Sequence, residues 1–159
     1  KEMTKKFVSG ADEFLDITPY DHSKDKQFVM SLIEENPRFL SYEFVGKPPG
    51  TTEKCLTEKN HYTFVLCKNN HPVGFVNFFI KDKTGSIDLI GVDKNHQKKG
   101  YGLLLVKYAL KKLKELNVFE ASLTVNKENE KAQRLYEKIG FIADSKSDSL
   151  RVWRYTKKL

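Results

Sequence analysis

The stretch 97-QKKGYG-102 joins an apolar run, 87-IDLIGV-92, to a leucine-rich one, 103-LLLVKYAL-110. No other feature restricts the fold as much. The first run has the length and branching of a buried strand, and the second opens a helix that runs to about residue 117. A loop from strand to helix leaves backbone N–H groups free at the helix start. Glycines there permit positive φ and close approach of a ligand to the backbone. The helix dipole favours negative charge at that end, and Lys98 and Lys99 add positive charge. The ligand these residues imply is a phosphate or pyrophosphate.

The phosphate loops with longer signatures are absent. A G-x-x-x-x-G-K-S/T string does not occur, and G-x-G-x-x-G would need glycine where Leu105 stands. Gly91 lies inside the preceding apolar strand. An interior strand glycine marks a bulge or a close approach by another backbone. A bulge at that point would open the sheet beside the anion loop.

The rest of the chain reads as alternating elements. A strand is expected over 12–20 and a helix over 21–36, with Phe28/Leu32 and Val29/Ile33 on its apolar face and Pro37 stopping it. Residues 37–60 are hard to assign; a short helix around Phe39–Val45, a loop at 46-GKPPG-50 and a helical turn over Glu53–Glu58 are expected. Strands follow at 61–69 and 73–81, joined by 69-NNHP-72, and a turn at 82-DKTG-85 leads to a strand over 86–92. After the loop and its helix come a strand at 118–125 and a helix at 129–140. Ala132, Leu135, Tyr136 and Ile139 form the apolar stripe of that helix, and Gly140 suits the position after its end. Two last strands surround 145-SKSDS-149. Strands in sequence, then strand–helix–strand–helix, give a mixed α/β sheet.

With 159 residues and no repeat or low-complexity linker, one domain spanning 1–159 is expected. No apolar run approaches the roughly 20 residues a membrane helix needs. The N-terminal KEMTKKFVSG lacks the apolar core of a signal peptide. Cys55 and Cys67, with no C-x-x-C spacing, read as reduced thiols of a cytoplasmic protein, and neither they nor the four histidines have structural-zinc spacing, so no metal is expected. The net charge of +7 suits an anionic partner, but the lysines are spread along the chain. Neither nucleic acid nor membrane is an expected partner.

Two motifs carry a resemblance. Gln97-Lys98-Lys99-Gly100-Tyr101-Gly102 is similar to the Q/R-x-x-G-x-G/A loop of the GNAT family of N-acetyltransferases, with the usual five residues from the strand end at Val92. Further on, 129-NEKAQRLYEKIGF-141 resembles that family's N-x-x-A-x-x-L-Y-x-x-x-G-F segment. The resemblance covers residues 61–142 well. It implies the GNAT fold: a mixed, mostly antiparallel central sheet of six to seven strands with helices on both faces. It also implies acetyl-CoA as cofactor. Amides of Gln97, Lys98, Lys99, Gly100, Tyr101 and Gly102 would hold its pyrophosphate, and Lys138 would reach its 3′-phosphate. The strand edge at Ile90, Gly91 and Val92 would pair with the pantetheine arm like an added strand. The Val92 N–H would serve the developing oxyanion. Asn129 would contact the cofactor arm, and Tyr136 would protonate the departing thiolate. Members of the family are often homodimers, and the resemblance extends that to this chain.

The implied chemistry needs a proton acceptor. An alkyl ammonium with a pKa of about 10.4 must lose a proton before it attacks a thioester. Asp88 is a carboxylate in an apolar strand, and it resembles the base or amine anchor of members acting on small amines. Ser86 stands where histone-type members carry glutamate, eleven residues before Gln97. Strand alternation places Ser86, Asp88 and Ile90 on one face and Ile87 and Leu89 on the other. Glu34, Glu35 and Glu43 are secondary acceptor-side candidates, with exposed helix charge as the simpler reading. His96 reads as a surface loop histidine, and Trp153 and Tyr155 as strand or core aromatics. The expected reaction is direct acetyl transfer to a primary amine of a small molecule such as an aminoglycoside, polyamine or amino sugar. A protein N-terminal or lysine acetyltransferase, a non-catalytic CoA- or nucleotide-binding module and a nucleic-acid binder stay open as alternatives.

Overall fold

The computed structural model describes residues 5–8, 14–43, 46–144 and 152–159. They contain an eight-stranded sheet with helices on both faces. The strands are β1 (Lys5–Val8), β2 (Phe14–Pro19), β3 (His61–Lys68), β4 (His71–Lys81), β5 (Thr84–Val92), β6 (Glu120–Asn126), β7 (Ile142–Ala143) and β8 (Val152–Lys158). Their spatial order is β1-β2-β3-β4-β5-β6-β8-β7, and β5–β6 is the parallel pair among antiparallel neighbours. The mixed, mostly antiparallel sheet expected from the sequence is thus present. β1 extends it by a strand the sequence reading did not assign, and β7 is only two residues long. The turn expected at 145–149 lies outside the described residues, as do 12 and 13 of the first expected strand.

The helices are α1 (His22–Glu35), α2 (Pro37–Leu40), α3 (Thr51–Cys55), α4 (Tyr101–Glu115) and α5 (Glu130–Lys138). Asp21 caps α1 by accepting from the Ser23 and Lys24 amides. Pro37 both ends α1 and opens α2, because a proline is well placed at a first helical position. The helix expected around Phe39–Val45 therefore lies earlier than its hydrophobic pattern suggested, and residues 44 and 45 are outside the described set. α3 overlaps the turn expected over Glu53–Glu58 but starts earlier, at Thr51, and ends earlier, at Cys55. None of these helices is long and apolar enough to cross a membrane.

The sheet separates two cores. On one face Ile17, Leu66, Val76 and Phe78 pack with Leu105, Ala109 and Leu113 of α4. On the other, Val65, Phe75 and Leu89 pack with Val29, Leu32 and Ile33 of α1 and Leu40 of α2. Gly85 belongs to the α4 side for a steric reason: a Cβ there would lie 2.4 Å from a Leu113 methyl. The stripe of α5 (Ala132, Leu135, Tyr136, Ile139) packs on the α4-side core as its spacing predicts.

One irregularity places the site. Asn77 pairs with Leu89 and Phe78 with Ile87, so Asp88 is an extra residue on β5. The bulge is at Asp88 and not at Gly91, which pairs regularly with Phe75. Nor is another backbone what crowds Gly91: the atoms nearest a Cβ there belong to side chains, the Phe75 ring at 2.8 Å and a Leu40 methyl at 3.3 Å. The bulge also breaks the expected alternation. Ile87 belongs to the α4-side core and Leu89 to the α1-side core, while Ile90 packs on the α4 side. Residues 87 and 89 therefore face opposite ways, which a two-residue period forbids in an unbroken strand.

Candidate active site

β5 and β6 pair over three rungs only, Thr84–Glu120, Gly85–Ala121 and Ser86–Ser122. Beyond Ser86 the two strands part. A cleft of about 1010 Å³ opens between residues 87–92 of β5 and 124–126 of β6, bounded by α5 on one side and the α1–α2 junction on the other.

The Asp88 end is a polar pocket. The Ser86 hydroxyl donates to Asp88 Oδ1 at 2.6 Å. Tyr42 also hydrogen-bonds Asp88, and burial together with that neighbouring carboxylate pushes its phenol far above the ordinary range. Tyr42 therefore stays a neutral donor. Its own position is fixed through Thr52, which is 1% exposed: the Tyr42 amide donates to Thr52 Oγ1 at 2.9 Å. The Thr52 hydroxyl and amide both donate to Glu43, the hydroxyl through a very short contact. Glu43 is thus a loop brace. Glu35 lines the cleft, while Glu34 is an exposed helix residue that does not.

At the other end stands the glycine loop. Gln97 Nε2 donates to the Val92 carbonyl at 3.2 Å and fastens the loop to the end of β5. Lys98 and Gly100 both have left-handed backbones, with φ of 65° and 82°. Residues of alternating hand turn successive amides toward one point, a concavity that holds anions. Gly100 is the N-cap of α4 and supplies no side-chain cap, so no capping group from that residue competes for the first amides. A Cβ on Gly100 would meet nothing within 4 Å. These features fit a pyrophosphate. Tyr101 is 4% exposed and faces the core, so its part in the loop is that of its backbone. His96 Nδ1 lies 3.0 Å from Asp93 Oδ2 and braces the turn before the loop.

The far wall comes from α5. Asn129 is its N-cap and accepts from the Ala132 amide at 3.2 Å, which leaves its NH2 donors directed elsewhere. Gln133 Nε2 donates to the Asn126 and Lys127 carbonyls at 3.2 and 2.9 Å and ties the helix start to the end of β6. Asn129 and Tyr136 both line the cleft. The Tyr136 ring packs edge-on to Phe141, 6.0 Å between centroids, and burial pushes its phenol up to about 12. It is a proton donor at any ordinary pH. Ile90, Gly91, Val92 and Gln97 line the cleft as well; Lys99 and Lys138 are exposed and do not. Trp153 stacks under Lys127 at 4.1 Å, and Tyr155 is a core residue donating to Glu137 at 2.8 Å.

The model of the acetyltransferase (GNAT) family matches residues 26–141. The chain belongs to the GNAT family. It is an acyltransferase of the N-acetyltransferase kind, and its cofactor is acetyl-CoA. GNAT structures of similar fold include the spermidine N-acetyltransferase SpeG from Vibrio cholerae, with TM-score 0.73, 22% identity and coverage of 91% of this chain and 93% of that one. The ribosomal-protein-S18-alanine N-acetyltransferase from Escherichia coli has TM-score 0.73 and 16% identity over 91% and 93% of the two chains. PaiA N-acetyltransferase from Thermoplasma acidophilum, in complex with coenzyme A, has TM-score 0.71 and 16% identity over 91% and 99%. No curated protein matches the chain.

Against the GNAT frame, the residues that sequence reasoning missed are those of the acceptor end. Tyr42 and Ser41 line the cleft, and nothing in their local pattern marks them. The only available signal was negative: 37–60 is a long stretch without strong periodicity, which in a compact domain tends to carry function.

Proposed function

We propose that the chain moves the acetyl group of acetyl-CoA directly onto a primary amine of a small molecule, of the polyamine, aminoglycoside or amino-sugar type. Asp88 is the base or amine anchor, the Val92 N–H the oxyanion donor and Tyr136 the acid. The observation that carries this reading is the bulged Asp88, a carboxylate held by Ser86 and Tyr42 on the wall of the cleft. Glu35 adds a second carboxylate to that end, which favours a cationic acceptor over an uncharged one.

Bound acetyl-CoA supplies an activated thioester. The amides of Gln97, Lys98, Lys99, Gly100, Tyr101 and Gly102 would bind its pyrophosphate, and Lys138 would serve its 3′-phosphate. The unpaired edge at Ile90 and Gly91 offers main-chain groups to an extended amide arm, and Asn129 offers its side-chain amide from the opposite wall. Asp88 receives the proton of the ammonium, so that the amine presents a lone pair. The Val92 amide holds negative charge on the carbonyl oxygen. The amine nitrogen would then bond to the acyl carbon as the carbon–sulfur bond breaks; Tyr136 would give its phenolic proton to the departing sulfur and be replenished by the second proton the nitrogen loses.

A panel of amines with acetyl-CoA, read by release of free thiol, tests the proposal. Di- and polyamines, aminoglycosides, amino sugars and peptides with a free N-terminus make up the panel. Turnover with a small cationic amine that falls on Asp88→Asn supports the reading. Turnover confined to peptides would replace it with the protein-directed alternative. CoA binding without turnover on any arm would leave a binding module.

A further inference from the structure

Next to the acceptor end, but outside the residues that line the cleft, three side chains with metal-binding donor atoms converge where α3 gives way to β3. Cys55 ends α3, Glu58 stands in the following turn and His61 opens β3. Their ligand atoms all lie within 4.8 Å of one another. The backbone between them is built to fold back on itself. The Thr57 amide donates to Lys54 O at 3.2 Å and the His61 amide to Glu58 O at 3.2 Å. Asn60 has a left-handed backbone, φ 68°, that reverses the chain just before His61, and its carbonyl is fixed by the Ile80 amide at 3.0 Å.

A second observation concerns Asn77, a fully buried amide in the middle of β4. Burying an amide is costly unless its hydrogen bonds are made. Asn77 Nδ2 donates to the Cys55 carbonyl at 3.3 Å and to Thr63 Oγ1 at 2.8 Å. Its Oδ1 lies 3.4 Å from His61 Nδ1. One buried side chain therefore holds both the backbone of Cys55 and the ring of His61. The ring is further fixed by stacking on Phe79, 5.0 Å between centroids at 26°. An oxygen partner at Nδ1 favours the proton there and leaves the Nε2 lone pair available, the arrangement by which a histidine is oriented toward a metal.

We propose that Cys55, Glu58 and His61 bind a zinc ion, with water as the fourth ligand. One thiolate, one imidazole and one carboxylate form a donor set suited to zinc, whereas magnesium and calcium select oxygen ligands throughout. On binding, the Cys55 thiol releases its proton to solvent and the thiolate sulfur coordinates the metal. Glu58 is exposed and His61 half-buried, so the ion reaches the site directly from water. Its effect is to pin the 55–61 turn to the β3–β4 hairpin, and it does not depend on the acetyl-transfer reading.

The test uses the whole chain, stripped with a chelator and titrated with zinc against a chromophoric competitor, and separately with cobalt. The expected result is one equivalent of tight binding, a higher melting temperature with zinc, and a thiolate-to-cobalt charge-transfer absorption. Cys55→Ser removes that absorption, while Cys67→Ser keeps it. Glu58→Gln, at an exposed position that the fold does not need, weakens zinc by about tenfold or more. Absence of the cobalt–thiolate band in the native chain overturns the proposal. So does its persistence in Cys55→Ser, or an unchanged zinc affinity in Glu58→Gln should the cysteine variant not fold.

Discussion

Ser86 donates to Asp88 at 2.6 Å from two residues away on the same strand, immediately before the place where β5 and β6 separate. A carboxylate has about four acceptor positions. Ser86 and Tyr42 take two of them and leave two for an ammonium group. Asp88→Asn keeps the shape but cannot accept the proton. We expect kcat/KM for the amine to fall by about a hundredfold or more, with the KM for acetyl-CoA unchanged. Steady-state kinetics with each substrate varied in turn checks both halves.

Tyr42→Phe removes a donor to Asp88 and leaves the ring in place. The expected change is a rise in amine KM of about three- to tenfold, the size of one ordinary hydrogen bond, because Tyr42 acts on the amine through Asp88. The native melting temperature should hold, because the backbone anchor from the Tyr42 amide to Thr52 is untouched. An unaltered amine KM would remove Tyr42 from the acceptor pocket.

Tyr136→Phe should lower kcat by about a hundredfold with little change in either KM. The native phenol also makes a stability prediction. Burial raises it from 10.0 to about 12, so between those values the unfolded chain has lost a proton that the folded chain keeps. Stability then falls as pH rises, by up to about 1.4 kcal/mol per pH unit from this group. Urea midpoints measured from pH 9 to 12 should decline less steeply in Tyr136→Phe than in the native protein.

The glycines separate three physical causes. Gly91→Ala drives a Cβ against Phe75 and Leu40 and should cost about 1–3 kcal/mol. Gly100→Ala has open space but a φ of 82°, so its cost of about 1–2 kcal/mol comes from the backbone. It should also weaken CoA binding, since relaxation of that φ turns the loop amides away. Gly102→Ala meets only Leu135 at an ordinary 3.8 Å and should leave both stability and CoA affinity intact. Denaturant unfolding and calorimetric CoA titration distinguish the three.

What could be read from the sequence was what short-range chemistry encodes. Gly100 and Gly102 announced a helix start with bare amides, and the spacing of Ala132, Leu135, Tyr136 and Ile139 gave α5 its buried stripe. Asp88 was conspicuous because a carboxylate in an apolar strand needs a reason. Its orientation was not legible, because the bulge depends on how β5 registers against Asn77 and Phe78 of β4, and alternation alone put Ile90 on the wrong face. Tyr42 was invisible for a related reason: its place depends on Thr52 and Glu43, which reach it through a loop without period. Pro37 misled in a smaller way, since a residue that stops one helix is also fit to start another.

The three rungs between β5 and β6 divide the sheet into a five-stranded half and a three-stranded half, zipped together at one end. Past Ser86 the gap between the strands is flanked by α5 and the α1–α2 junction and open to whatever lies in the cleft, so main-chain hydrogen bonding there is a variable of ligation. The sheet thus has its shortest strand pairing but one along the seam that borders the cleft. Those amide protons of residues 87–92 that face the cleft and not β4 should exchange faster than those of β3 and β4 in the free protein and slow when CoA enters. In mechanical terms the ligand is a missing stitch, and affinity at that position is also a measure of how firmly the two halves are held.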